Sequence, residues 1–305
     1  MNKNVSKLIN KVSIQDKEYP QSIKDLKNAP ENLYFIGDLS SLKFSNSISV
    51  VGARQATLYS KHLLRSMVHR LSTFNSDLNI VSGAALGIDQ EAHFSALENN
   101  IPTTLVLGSG FYESHLDLNS FFVRSLLKNP KNLLISEFEP NFKAQKWTFA
   151  YRNRIIAALS PLTIVVQAAE KSGSLITAKY ARKLDRTVYA FANDLDNSIY
   201  SGNKHLIESG KAVALKSVSE LCNKLGYQSP KTIETKNKSN KHKLASSLAE
   251  EIMKLLESGS KNFDYIKESV KGNEIGISST LSLMEVKGLV RRDIGSCFTL
   301  AQKSY

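Results

Sequence analysis

From residue 47 onward the apolar positions fall into short unbroken runs separated by longer stretches of helical spacing. The runs at 47–51, 79–81, 103–107, 132–135, 162–167, 187–191 and 211–215 are rich in β-branched residues and end near Gly or Ser. They are continuously apolar rather than alternating, as expected of strands covered on both faces. The intervening segments 58–71, 88–98, 149–159, 174–184 and 203–208 place apolar residues three and four apart and predict helices. Strand and helix in alternation predict a doubly wound, mostly parallel α/β sheet that ends near Tyr227, a domain over residues 1–228. Residues 229–243 (SPKTIETKNKSNKHK) carry almost no large apolar side chain and predict a flexible basic linker. Beyond it, helical periodicity at 244–257, 263–270 and 275–287, followed by a hairpin at 288–300, predicts a small winged-helix domain over 244–305. No repeat of 20 to 50 residues is visible, which removes solenoids.

The 305 residues are 42% hydrophobic and 22% charged, a composition that excludes disorder throughout. Cys222 and Cys297 form no CxxC, so neither a disulfide framework nor a zinc knuckle is encoded. With no signal-peptide run and no membrane-length apolar stretch, the expected setting is the reducing cytoplasm. The formal net charge is +12, which suggests a polyanionic partner. Residues 1–228 hold 27 basic and 19 acidic groups, whereas residues 244–305 hold 8 of each. Most of the excess lies in 143–186, from Lys143, Lys146, Arg152, Arg154, Lys171, Lys179, Arg182, Lys183 and Arg186. Charge so concentrated marks a candidate binding surface rather than an evenly solvated exterior.

Three strand-to-helix turns carry candidate chemistry, because ligands of open α/β sheets bind beyond the carboxyl ends of the strands. The first holds Gly52 and Arg54, a close-approach glycine and a forked phosphate donor. The second, SGAALGID at 82–89, opens with Ser82 and Gly83 and offers free N–H groups at a helix start. The third, KSGSLITA at 171–178, repeats that chemistry with Ser172, Gly173, Ser174 and Thr177. Each turn alone is equally an ordinary cap; together they favour a phosphate-binding crest. There is no GxxxxGK[ST], and Gly108-Ser109-Gly110 does not complete GxGxxG, so nucleotide cofactors lose ground and no cofactor is expected. The segment 146–154, KWTFAYRNR, interleaves cations with Trp147, Phe149 and Tyr151, a composition suited to stacking bases while pairing phosphates; at least one of these rings is expected to be buried. Asp89 and His93, four apart, read as a local hydrogen bond rather than a catalytic pair, and two groups are too few for a closed metal site. Glu137 is a candidate general base by position alone, with no nucleophile beside it.

The ordered set VGAR (51–54), SGAALGIDQEAH (82–93), ISEFEP (135–140), FAYRNRIIAALS (149–160), SGSLITAKYA (172–181) and SGNKHLIESG (201–210) closely resembles the DNA-processing protein A family, also called Smf, across residues 19–215. The resemblance implies an extended Rossmann-like fold that binds single-stranded DNA and forms a homodimer. It further implies loading of a RecA-type recombinase onto incoming DNA during natural transformation, with binding and no catalysis. Carried over by motif, Arg54 resembles the family's DNA-contacting arginine, Lys146 and Phe149 its basic and base-stacking pair, and 172–177 part of its phosphate pocket; Arg152 and Arg154 belong to the matching RNR string. His115-Leu116, Asp117 and Ala192-Asn193 stand where the family usually has Tyr-Pro, a lysine and Pro-Gly. Because the recognisable region begins at Tyr19-Pro20, the N-terminal helical domain of many members is not expected. Two rival classes stay open at this point: a nucleotide phosphoribohydrolase, whose PGGxGTxxE signature the chain lacks, and a duplex-reading regulator acting through residues 244–305.

Overall fold

The structure, a computed structural model, describes residues 8–114, 121–192, 196–226 and 238–270, with shorter pieces between 277 and 300. His115 to Asp117 and Asn193 lie outside the described residues. The chain divides into two compact units, Met1–Gln228 and Ser229–Tyr305. In the first, the elements run β1 (Asn10–Ser13), α1 (Gln21–Lys24), β2 (Asn32–Ile36), β3 (Ser47–Val51), α2 (Leu58–Phe74), β4 (Asn79–Gly83), α3 (Ile88–Glu98), β5 (Thr103–Val106) and α4 (Phe121–Leu127). They continue as β6 (Leu133–Ser136), α5 (Lys146–Ala158), β7 (Leu162–Val165), α6 (Ser174–Lys183), β8 (Thr187–Phe191), α7 (Ser201–Glu208), β9 (Val213–Leu215) and α8 (Val218–Lys224).

All nine described strands of this unit join one sheet in the order β1-β2-β6-β5-β4-β3-β7-β8-β9. From β6 to β9 every neighbouring pair is parallel. β2 adds to β6 antiparallel, and β1 adds to β2 antiparallel, so the predicted doubly wound, mostly parallel, Rossmann-like sheet gains an antiparallel edge. The strands bury both faces. Val51, Val81, Val106, Ile135, Val165 and Ala190 pack with α1, α5, α6 and α7 on one side, while Ile48, Val50, Ile80, Ile164 and Val166 meet α2, α3 and α8 on the other. Neighbours such as Val50 and Val51 thus point to opposite helix layers, which is why the strand sequences read as unbroken apolar runs.

The order of strands places the site. From β3 the chain winds outward through β4 and β5 to β6, then returns to lay β7 against the free side of β3, pairing Val51 with Val165. The carboxyl ends of β3 and β7 are therefore the point where winding reverses, the place where open α/β sheets leave a crevice.

In the second unit, α9 (Lys238–Glu257), β10 (Lys261–Asn262), α10 (Phe263–Ser269), β11 (Val290–Arg292) and β12 (Cys297–Leu300) form two helices and a three-stranded antiparallel sheet ordered β10-β12-β11. Leu248, Ile252 and Leu256 supply one stripe of its core, joined by Ile266, Val290 and Phe298. α9 starts at Lys238, so residues 238–243 of the predicted linker are helical instead; they contain no Pro or Gly and extend the helix from its apolar stripe. Residues 229–237 lie outside the described residues. The third predicted helix, 275–287, falls on a stretch described only in part, within which Ile277, Leu281 and Met284 join the core at helical spacing.

Candidate functional site

At the reversal point lies an open cleft of about 700 Å³, walled by the loop after β3, one side of α5 and the segment running from β7 into α6. The β3 loop is held rigidly. A Cβ on Gly52 would come within 2.6 Å of Ile88, and one on Gly87, whose φ is +85°, would collide with the carbonyls of Ala53 and Arg54. Only glycine at both positions lets this loop lie on the start of α3. Hydrogen bonds then pin it: Ala53 N–H donates to Gln167 O at 2.7 Å and Ile88 N–H to Ala53 O at 3.1 Å. The Gln167 side-chain oxygen accepts from Thr57 N–H at 3.0 Å. Arg54 emerges exposed from this fixed frame, its guanidinium 5.8 Å from the centre of the Phe149 ring.

Helix α5 begins three residues earlier than its apolar spacing predicts, at Lys146. The Thr148 hydroxyl explains the early start, accepting from Gln145 N–H at 3.2 Å and reaching Gly108 O at 2.5 Å. One extra turn puts Lys146, Phe149, Ala150 and Asn153 on a single stripe facing the cleft. Phe149 rests on Gly108 and stays half-buried. Trp147 and Tyr151 point elsewhere, with Trp147 52% exposed and edge-on to Phe138, Phe142 and Tyr151. The expectation that one of the three aromatics is buried fails; all are at least partly exposed, because the helix lies at the surface with its core side formed by Ile155 and Ile156.

The third wall is the start of α6. Gly173 is its N-cap residue and gives no side-chain cap, and a Cβ there would meet nothing within 4 Å. Ser172 and Ser174 share a hydroxyl hydrogen bond of 2.6 Å, and Asn153 ties α5 to the turn by donating to Gly173 O at 3.2 Å. Thr177 lines the cleft with a buried hydroxyl that has no partner among the described residues. The first N–H groups of this ten-residue helix are partly taken, Ser174 N–H by Ser172 Oγ at 3.4 Å, Leu175 N–H by Ser172 O at 3.1 Å and Ile176 N–H by Gly173 O at 3.1 Å. An anion in this site would therefore meet the positive helix end and the two serine hydroxyls, with the Thr177 hydroxyl sealed behind them. Lys171 stands exposed at its mouth.

Gly52, Arg54, Lys146, Phe149, Arg152, Ser172, Gly173, Ser174 and Thr177, all expected from the sequence, therefore line one cleft. Ser82, Gly83 and Arg154 do not. The Ser82 hydroxyl is fully buried and donates to Val50 O at 2.5 Å, and Gly83 is buried beneath Asp89 and Arg152. Arg154 makes two 2.6 Å bonds to Glu137, lies 3.7 Å from the Tyr151 ring centre and is buried. That bidentate pair also removes Glu137 as a free base. Arg152 reaches the cleft only as floor: it is 3% exposed, and its Nη1 donates to Val106 O.

The second turn does not offer its N–H groups to a ligand either. The Asp89 carboxylate takes the Ala85 N–H of that turn together with the Gly52 N–H of the β3 loop, while burial pushes its pKa up to about 6 against the pull of Arg152. Burial conversely lowers Arg152 to about 10. Asp89 thus acts as an internal anion beneath the cleft. His93 makes its bonds elsewhere, to Thr103 Oγ1 at 2.7 Å and Gly83 O at 2.8 Å. Burial lowers its pKa to about 4, so it is neutral; since a carbonyl only accepts, Nε2 carries the proton, and Nδ1 faces the Thr103 hydroxyl, whose single proton is shared between it and Ile80 O at 2.8 Å. The expected Asp89–His93 hydrogen bond is replaced by these separate bonds. Sequence reasoning left Gln167, Asn153 and Lys171 out of the site. Lys171 was visible in the basic segment, and Gln167 as the one amide side chain in the run 162–169. Among the described residues no group of three His, Cys, Asp or Glu side chains could hold a metal ion, and no helix is long and apolar enough to cross a membrane.

Known proteins share this fold. DNA processing protein DprA of Bacillus subtilis is 36% identical over 202 residues, 66% of this chain and 67% of that one. The match covers only about half of other relatives, such as protein Smf of Synechocystis. The crystal structure of DprA from Streptococcus pneumoniae superposes with a TM-score of 0.64 at 33% identity, covering 72% of this chain and 76% of that one. A structure of DNA processing protein A from Helicobacter pylori, described for its single-stranded DNA binding mode, gives a TM-score of 0.61 at 28% identity, covering 71% of this chain and 95% of its own. A family model for DNA recombination-mediator protein A matches residues 10–226, the whole sheet with its cleft, and the chain belongs to that family.

Proposed function

We propose that the cleft binds single-stranded DNA and that the chain acts, without catalysing a reaction, as a recombination mediator in the cytoplasm. In this reading it protects incoming DNA during natural transformation and, as a homodimer, passes it to a RecA-type recombinase. The observation that carries the proposal is the Arg54 guanidinium held beside the half-exposed face of Phe149 at the mouth of an anion site. Cation, aromatic ring and helix N-terminus together suit a phosphate followed by a stacked base. Duplex DNA keeps its bases stacked inside, whereas a single strand can present one to the ring. The single-stranded DNA binding ascribed to the Helicobacter relative supports the same reading. The Asn153 and Gln167 amides of the cleft are engaged with backbone groups, which leaves phosphate and stacking contacts to carry affinity, so binding is expected to be sequence-tolerant.

With about three to five phosphates neutralised, log K is expected to fall against log salt with a slope of roughly −2 to −3.5. Fluorescence anisotropy with labelled oligo-dT and a matched duplex, at two salt concentrations, tests this with Arg54→Ala alongside. Preference for the single strand, weakened in the variant with a slope shallower by about 0.7, is the expected outcome. Equal affinity for both DNA forms, or an indifferent variant, overturns it. Recombinase loading is tested separately, by whether the full chain speeds filament assembly on DNA already coated with a single-strand-binding protein.

A further inference from the structure

A second groove, of about 680 Å³, lies on the outer side of α6 where that helix faces α7 and the approach to β9. Its floor is apolar, formed by Leu206, which is 5% exposed, and Leu175, packed against the same core cluster. Its rim carries four cations and one carboxylate: Lys179, Arg182 and Lys183 are exposed, Lys211 donates to His205 Nε2 at 3.2 Å, and Glu170 is exposed among them. Among the described residues no carboxylate lies within ion-pair distance of these four cations, although other surface lysines such as Lys131 and Lys204 do find acidic partners. Lys179, Arg182 and Lys183 crowd into about one and a half turns of α6 with Lys211 across the groove; such like charges repel one another, and an external polyanion relieves that repulsion.

The groove and the cleft share one wall. Ser174, Ile176 and Thr177 face the cleft, whereas Leu175, Lys179 and Arg182 form the stripe facing the groove. Gly173, with open space about it, lies where a chain would cross from one side to the other. From there α6 runs about 15 Å at the usual rise per residue. The groove lining has no Phe, Tyr or Trp, and its one imidazole, His205, is engaged by Lys211, so it suits phosphates better than stacked bases.

We propose that this groove is a second contact surface for the backbone of the same single strand, which leaves the cleft over Gly173 and continues along the outer face of α6. The proposal rests on the single-stranded DNA reading of the cleft. It predicts that a short oligomer fills the cleft alone and a long one engages both surfaces. The test compares dT4 and dT20, by competition and direct anisotropy, on the full chain, on Lys179→Ala/Arg182→Ala, and on Arg54→Ala, with thermal melting to confirm folding. Both groove substitutions are on exposed helix positions. Removing two phosphate contacts is expected to weaken dT20 by about tenfold at 0.15 M salt and to make its salt slope shallower by about 1.4, leaving dT4 within about twofold. Equal losses for both lengths, or an unchanged dT20 affinity, overturn the proposal. So does a changed sedimentation coefficient in the double variant at unchanged DNA affinity, which would assign the surface to a second copy of the chain. Arg54→Ala reports on the cleft independently: if it weakens neither oligomer, the single-stranded DNA reading itself fails.

Discussion

The residues that were expected to touch a ligand divide by partner. Arg54 and Phe149 meet each other at the cleft mouth, whereas Arg154 is spent on Glu137 and Ser82 on a backbone carbonyl. Phe149→Ala should weaken oligo-dT binding by about 1–3 kcal/mol while leaving the salt slope unchanged, because it removes stacking and no charge; anisotropy over a salt series separates this from the Arg54 effect. Beneath the cleft, Asp89 and His93 make opposite demands on pH. Burial raises Asp89 from 3.8 to about 6, so the folded state binds the extra proton in that window and this contribution to stability falls as pH rises through it. His93 is lowered from 6.5 to about 4, so the unfolded state binds the extra proton there and its contribution rises with pH. The two slopes oppose one another in the native chain. Asp89→Asn should expose the histidine's slope, making the stability profile between pH 4 and 6 steeper upward than the native one by about 1.4 kcal/mol per unit. Urea midpoints across that range measure it, and parallel profiles for the two proteins would contradict the assignment.

At the level of elements, the start of α6 carries the anion site and α5 carries the stacking ring. Thr177 allows the binding role of α6 to be separated from its packing role. Its hydroxyl is buried with no described partner, which costs about 1–3 kcal/mol in the unliganded protein. Thr177→Val should therefore raise or preserve the melting temperature and, because the side chain is sealed from solvent, leave DNA affinity unchanged in the anisotropy titration. A weakened variant would mean that the bound strand opens the start of α6 to reach the hydroxyl. Much of the element layout was legible in the sequence: β3, α3 and β8 have the bounds predicted from spacing alone. β1 and β2 were not, because an edge pair buries few side chains, chiefly Val12, Leu33 and Ile36, and so lacks the unbroken apolar run of a central strand. The early start of α5 was hidden for a different reason: Thr148 is a cap only because Gly108 lies beneath it.

Across the whole molecule, every residue of the cleft and of the outer groove belongs to the first compact unit. A chain cut after Gln228 should therefore keep the oligo-dT affinity and salt slope of the full protein, measured by the same anisotropy titration. The balanced charge of residues 244–305 points the same way, since a domain without surplus cations has little backbone affinity to contribute. A large loss on truncation would give the second unit a direct part in binding.

The sequence alone determined what acts over a few residues: which segments are strands and helices, where glycine permits a close turn, and where cations and aromatics interleave. Helical spacing and strand burial are local periodicities, and they survive without knowledge of the partners. Tertiary structure decided the rest. Pairing Val51 with Val165 brings residues 52–54 beside 167–177, more than a hundred positions along the chain, and no local pattern specifies that strand order. Burial likewise separated Arg54 from Arg154, because whether a guanidinium meets solvent or a buried carboxylate depends on what packs over it. Sequence supplied the chemistry of the cleft, and the reversal of winding between β3 and β7 gathered it into one place.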